Sequence, residues 1–100
     1  MKPDRPDDPS AFAVEHDAAR HCFHATVDGQ RCVVDYRLDG GVLHLTHTGV
    51  PSPLEGRGIA AALVREALGH ARRHGLKVDP QCSYARGYMQ RHPQTHDLLA

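Results

Sequence analysis

The feature that most limits the fold is a strand-like run that meets two glycines and then, without a gap, a helical pattern. Val42 to Val50 has strand character and feeds the loop Pro51-Ser52-Pro53-Leu54, which is followed by Glu55-Gly56-Arg57-Gly58. From there Ile59, Leu63, Ala67 and Ala71 recur every four residues, with Ala60, Val64 and Leu68 beside them. That period belongs to a helix with one apolar face. It predicts a helix from about Gly58 to His74, with Gly75 at its C-cap and Arg72, Arg73 and His74 in the last turn, where the dipole favours positive charge. A strand, a glycine turn and a helix start form a ready-made anion site. The first N–H groups of a helix lack internal partners, and its dipole is positive there. Glycine lets the backbone come close to a phosphate. No Lys-Ser or Lys-Thr pair follows, so this is not a P-loop, and Ala61 interrupts a full G-x-G-x-x-G set. Taken alone, Gly-x-Gly before a helix suits a plain structural turn equally well.

The chain before this unit reads as an antiparallel meander. Ala11 to Glu15 is a short edge strand, broken by Asp17-Ala18-Ala19. His21 to Val27 places Phe23, Ala25 and Val27 on one face, and Asp28-Gly29 is a hairpin turn. Cys32, Val34, Tyr36 and Leu38 share a face of the next strand, and Asp39-Gly40-Gly41 turns the chain again. Leu43, Leu45 and His47 then share a face of Val42 to Thr48.

After the long helix, Leu76 to Val78 rejoins the sheet. A helix separates it from the previous strand, so a parallel crossover is expected. Pro80 ends that strand. Cys82 to His92 is a second helix, with Tyr84, Tyr88 and Arg91 on one face and Pro93 as its stop. The order β-β-β-loop-α-β-α predicts an α+β domain: a mixed, mainly antiparallel sheet with a β-α-β crossover and a C-terminal helix. Its glycine turn lies where strand gives way to helix, as open α/β sheets place their ligands.

One hundred residues allow one domain. Residues 1–10, with three prolines and several charges, form a disordered or extended tail, and 11–100 form the domain. The core is modest, so a dimer partner or ligand would matter to stability; a monomer or weak homodimer is expected. Twelve basic residues balance twelve acidic ones, which gives no general pull toward nucleic acid or anionic membranes. No run is long and apolar enough to cross a membrane, and the polar N-terminus is not a signal peptide. Three cysteines, an odd number, do not suggest a fully paired disulfide scaffold, and a reducing cytoplasm is the simpler home.

Several stretches together resemble the small single-domain branch of the GCN5-related N-acetyltransferases, the group with bacterial YjdJ-like proteins. They are Tyr36-Arg37-Leu38, His47-Thr48-Gly49-Val50-Pro51, Glu55-Gly56-Arg57-Gly58-Ile59-Ala60 with Leu63-Val64 and Ala67-Leu68, Gly75-Leu76-Lys77-Val78, Pro80-Gln81-Cys82-Ser83-Tyr84, and Tyr88 to Pro93. The resemblance spans roughly Val14 to Leu99. It implies binding of acetyl coenzyme A. The family's phosphate motif is Gln or Arg, two residues, Gly, one residue, then Gly or Ala. Gly58 and Ala60 match its last two places, whereas Glu55 stands at the Gln or Arg place. A carboxylate cannot donate to a phosphate and repels it. Arg57 is adjacent and offers positive charge, and the backbone from Arg57 to Ala61 would do most of the holding. The resemblance also implies that Thr48 to Val50 pairs with the pantetheine arm, that the thioester lies between that strand and Leu76–Val78, and that an N–H near Val50 polarises its carbonyl. The helices that bind the acceptor in larger members are absent, so the acceptor site would be open and shallow.

The candidate chemical residues follow. Cys82 opens a helix, where a thiolate is favoured. It is a nucleophile that takes the acetyl group, a thiol that only lines the thioester pocket, or a small buried residue capping the helix, with Ser83 the alternative N-cap. Tyr84 and Tyr88 are candidates to protonate the departing thiolate or stack on the cofactor, as the matching helix of larger relatives implies; Tyr88 is preferred. His47 is a candidate base or a structural link between strand and loop. Arg91 is a candidate for the coenzyme's phosphates. His70 and His74 share a helix face, yet no third metal ligand is recognisable, so no metal site is assigned. Gly56, Arg57, Gly58, Ile59, Ala60, Ala61, Thr48, Val50, Ser83, Tyr84 and Arg91 form the expected cofactor set, and Cys82, Tyr88 and His47 the expected catalytic set. The function expected is transfer of an acetyl group from acetyl coenzyme A to a small amine or an exposed protein lysine. The alternative is a non-catalytic acyl-CoA-binding or protein-interaction module.

Overall fold

The computed structural model describes residues 13–100; the expected tail and the start of the expected first strand lie outside them. Five strands form one sheet in the order β1-β2-β3-β4-β5: β1 Glu15–Asp17, β2 Cys22–Val27, β3 Gln30–Asp39, β4 Val42–Gly49 and β5 Lys77–Pro80. The first four pair antiparallel and β5 runs parallel to β4. Helix α1, Ile59–Arg73, makes the crossover, and α2, Ser83–Arg91, follows β5. The fold is therefore the mixed α+β arrangement expected from the alternation pattern.

The edge strand sits later than its sequence pattern suggests. Asp17 ends β1 and accepts the Arg20 N–H, capping a 3-10 turn over Ala18–Arg20. The β2–β3 connection is a two-residue turn in which Asp28 and Gly29 both have positive φ, 52° and 75°, a conformation that matches the twist of a hairpin.

Both helices cover the same face of the sheet. Phe23, Ala25, Cys32, Val34, Leu43, Leu45 and Val78 meet Ile59, Leu63, Val64, Ala67 and Ala71 of α1 and Ala85, Tyr88 and Met89 of α2 in a single core. Among the described residues the opposite face carries no helix. Leu38, expected on the buried face, is 50% exposed beside the turn that ends β3. The α1 C-terminus closes with Leu76 N–H on the Ala71 carbonyl at 2.8 Å and Gly75 N–H on the Arg72 carbonyl at 3.4 Å. This paired capping sets the direction of β5.

The β3–β4 register slips by one residue. Val34 faces Thr48 and Asp35 faces His47, but Tyr36 faces Leu45, so Thr46 is an extra residue in β4. Side chains alternate along a strand, so one inserted residue exchanges the faces of everything beyond it. His47, which strict alternation puts beside Leu45 on the apolar face, is instead exposed and opposite Asp35. Thr48 takes the helix-covered face beside Val34.

Candidate active site

Pairing of β4 with β5 stops at Leu45 and Pro80, while β4 continues to Gly49. The Leu45 carbonyl accepts both the Gln81 N–H at 2.9 Å and the Cys82 N–H at 3.0 Å. These bonds pin the end of β5, and the chain then leaves the sheet to start α2. The two strands part at the point where Thr46 bulges.

Cys82 stands in this opening. It is the N-cap of α2, with extended backbone at φ −79° and ψ 148°. Its Sγ accepts the Ala85 N–H at 3.4 Å, and the Thr48 Oγ1 lies 3.2 Å from it. The bulge makes this contact: without it, Thr48 would face the other side of the sheet. Ser83 is exposed and makes no capping bond, so Cys82 rather than Ser83 caps the helix.

A cavity of about 360 Å³ extends along the start of α1, lined by Val50, Leu54, Glu55, Gly56, Gly58, Ile59, Ala60 and Tyr84. A second hollow shares Val50, Glu55, Ala60 and Tyr84 with it and reaches Thr48. The cleft thus leads from the helix start to the residue beside the Cys82 sulfur. Gly58 is the N-cap of α1 at φ 80° and ψ 9°, and Gly56 has φ 83°. That left-handed backbone costs other L-residues roughly 1–2 kcal/mol. The Ala62 N–H on the Gly58 carbonyl at 3.1 Å is the first internal bond of the helix. The N–H groups of Ile59, Ala60 and Ala61 precede it and make up the free donors of the first turn.

Charge at this end differs from expectation. Glu55 lines the cavity. Arg57 does not; its guanidinium pairs with Asp28 of the β2–β3 turn at 2.8 Å, and its buried Nε has no partner. Positive charge from Arg57 is therefore directed to the hairpin rather than into the cleft. Tyr84 is half-buried in the cleft wall, and burial pushes its phenol above the usual range, against a smaller downward pull from Arg91.

Residues 22–98 match the family described as GCN5-related N-acetyl-transferase. The chain belongs to the GCN5-related N-acetyltransferase family. It is 34% identical to Protein NATD1 of Xenopus tropicalis, over 90% of this chain and 85% of that one. It is 36% identical to Protein NATD1 of Homo sapiens, over 80% of this chain and 74% of that one. The solution structure of a GCN5-like protein from Staphylococcus aureus superposes with a TM-score of 0.71 at 24% identity, covering 88% and 87% of the two chains. That likeness speaks for the fold.

Within this acetyltransferase fold the expected site residues divide. Thr48, Val50, Gly56, Gly58, Ile59, Ala60 and Tyr84 lie along the cleft, with Cys82 beside Thr48. Ala61 is half-buried next to them. Tyr88 is turned elsewhere. It lines a different hollow with Arg65, Leu68 and Gln94, and its ring stacks on His92 at 4.0 Å. Arg91 is exposed and does not line the cleft. His47 is exposed on the open face of the sheet. Among the described residues no group of three or more His, Cys, Asp or Glu is arranged to hold a metal. His70 and His74 are ring neighbours at 4.3 Å, and His16 of β1 joins them, 4.5 Å from His70. Sequence reading missed Leu54 as a cleft residue, the Thr48–Cys82 contact and the hydrogen bond between His44 and Asp79. The last two join distant segments through the sheet register, which no local spacing reveals.

Proposed function

We propose that the protein binds acetyl coenzyme A in this cleft and transfers the acetyl group to a primary amine, on a small molecule or a protein lysine, by way of Cys82. The observation that carries the reading is the placement of the Cys82 sulfur. It lies 3.2 Å from the hydroxyl of Thr48, which lines the second hollow of the cleft, and accepts the Ala85 N–H of α2.

The backbone suits the coenzyme. Two glycines with positive φ open the approach, a Cβ at Gly56 would meet nothing within 4 Å, and the N–H groups at the start of α1 are free to hold phosphate oxygens. Glu55 opposes an anion there and limits affinity. Val50 and Leu54 offer apolar wall to the arm of the coenzyme. Bound there, acetyl coenzyme A supplies an acyl thioester.

Cys82 attacks the acetyl carbon, its Sγ forming the new bond as the bond to the coenzyme sulfur breaks, and its S–H proton passes to the departing sulfur, directly or by relay. Ala85 N–H donates to Cys82 Sγ, and Thr48 Oγ1–H, 3.2 Å away, can donate to the sulfur once it has lost its proton, which stabilises negative charge on it. Tyr84, a phenol protonated at neutral pH and raised further by burial, is a hydroxyl of the cleft able to relay a proton to the leaving sulfur. An amine then takes the acetyl group from Cys82 and frees the thiol.

Intact mass spectrometry after mixing with acetyl coenzyme A tests this. A gain of one acetyl group in the native protein, absent from Cys82→Ala and discharged by added amine, is the expected result. Calorimetry showing no uptake of coenzyme A at millimolar concentration by folded protein would overturn the reading. The Glu55 carboxylate in the cleft favours a second reading, a weak acyl-CoA-binding module; binding without transfer to any amine would establish it.

A further inference from the structure

On the face of the sheet that no helix among the described residues covers, three residues stand in one row across the strands. Arg37 of β3 is opposite His44 of β4, and His44 is level with Asp79 of β5. His44 Nδ1 lies 2.8 Å from Asp79 Oδ2, and Gln81 Nε2 donates to the same oxygen at 2.9 Å. The His44 side chain is 17% exposed and Asp79 39%. Two bonds on one carboxylate oxygen fix the His44–Asp79 contact in place. A carboxylate can only accept, so the Nδ1 facing it carries hydrogen, and Nε2 is left with the lone pair in the neutral ring. The ring is held in one tautomer and presents a basic nitrogen, the relation that an orienting carboxylate has to a histidine base in acyl transfer.

The place of this pair matters as much as its geometry. His44 immediately precedes Leu45, the last residue of β4 to pair with β5, and stands two positions before the bulged Thr46. That is about 7 Å along a strand. α1 and α2 close the other face, where Cys82 and Thr48 sit. An acceptor therefore has open access to the parted strands from the side on which His44 lies.

We infer that His44, oriented by Asp79, accepts the proton of the attacking amine on the open face of the sheet. The inference rests on the acetyl-transfer reading above. In the step, the amine nitrogen bonds to the acetyl carbon, its N–H bond breaks, and the bond from that carbon to the leaving sulfur breaks. The proton goes to His44 Nε2, directly or through one water, and returns to the thiolate or solvent. The charged groups around the ring are Arg37 from β3, Asp79 from β5, and His47 with its partner Asp35 along the sheet; from α2, Arg86 is held on the Gln81 carbonyl. Arg37, at the β3 end of the row, also disfavours an approaching ammonium relative to the free amine that reacts.

The test separates this role from the reading it rests on. Acylation by acetyl coenzyme A is followed by intact mass, and transfer is followed with spermidine, free lysine and a lysine-bearing peptide as acceptors. His44→Gln should still load one acetyl group as fast as the native protein, but lose roughly 100-fold or more in kcat/KM for amine. Its pH–kcat/KM profile should lack a limb that the native profile shows. Asp79→Asn should likewise slow transfer to amine while leaving acyl loading intact, because a neutral amide holds the ring less firmly than the carboxylate. A His44→Gln protein that transfers to amine with the native rate and pH profile overturns the inference alone. Slow acyl loading with normal amine transfer also overturns it, since the defect is then in the wrong half-reaction. A native protein that neither loads nor transfers overturns the acetyl-transfer reading, and this inference with it.

Discussion

Thr48 Oγ1 lies 3.2 Å from Cys82 Sγ, although the two residues are 34 positions apart. One residue of slippage in β4 and the crossover through α1 bring them together. The contact sets the sulfur of a helix-capping cysteine beside a hydroxyl that lines the cleft.

Cys82 carries two roles that substitution separates. Serine is a good N-cap and alanine is not. Cys82→Ser should keep the melting temperature close to native and form no stable acetyl adduct at neutral pH. Cys82→Ala should lose the adduct as well and cost about 1 kcal/mol of stability from the missing cap. Thermal unfolding and intact mass on the same samples check both. An adduct that persists in either variant places the acetyl group elsewhere.

Glu55 faces the cleft while Arg57 is tied to Asp28. Glu55→Gln should therefore raise affinity for coenzyme A severalfold at low salt, with a smaller gain at high salt as screening takes over. Asp28→Asn keeps a residue suited to the turn's positive φ, removes a largely exposed ion-pair partner and should change stability by about 0–1 kcal/mol. Titration calorimetry at two ionic strengths measures the first effect, and chemical denaturation the second. Equal affinity for native and Glu55→Gln protein would show that the carboxylate does not feel the ligand.

The two tyrosines of α2 should behave differently. Tyr84 lines the cleft and Tyr88 stacks on His92 away from it. Tyr84→Phe should slow acetyl transfer by roughly 100-fold if its hydroxyl protonates the leaving sulfur. Tyr88→Phe should leave the rate within a few-fold of native. The reverse order would restore Tyr88 as the acid preferred on sequence grounds.

A group of rings at the edge of the sheet makes stability depend on pH. His16 stacks on Phe23 at 4.2 Å, bonds the Tyr36 hydroxyl at 2.6 Å and meets His70, which in turn meets His74. Burial, first of all, holds both His16 and His70 below the ordinary histidine value; His74 adds to this, while Glu66 opposes it. The unfolded chain then binds more protons, so stability falls as pH drops through the unfolded value of about 6.5 and the loss ends below the depressed folded values. Denaturation midpoints from pH 8 to pH 5 should show this slope, and His16→Gln with His70→Gln should flatten it. An equal slope in that double variant would assign the dependence to other groups.

The sequence by itself determined the elements and their order. Alternation at Phe23, Ala25 and Val27, the Asp28-Gly29 turn, and four-residue spacing from Ile59 to Ala71 are local signals, set by which faces can be buried and which backbone angles glycine allows. The cleft's backbone half, Gly56 to Ala60, was legible for the same reason. Its side-chain half was not. The bulge at Thr46 reverses His47 and Thr48, Arg57 finds Asp28 across a hairpin, and His44 meets Asp79 only because a parallel strand settles in one register. Register and strand divergence are fixed when the whole apolar face closes over its helices. The residues that face a substrate therefore depend on contacts between segments that no stretch of the chain contains alone.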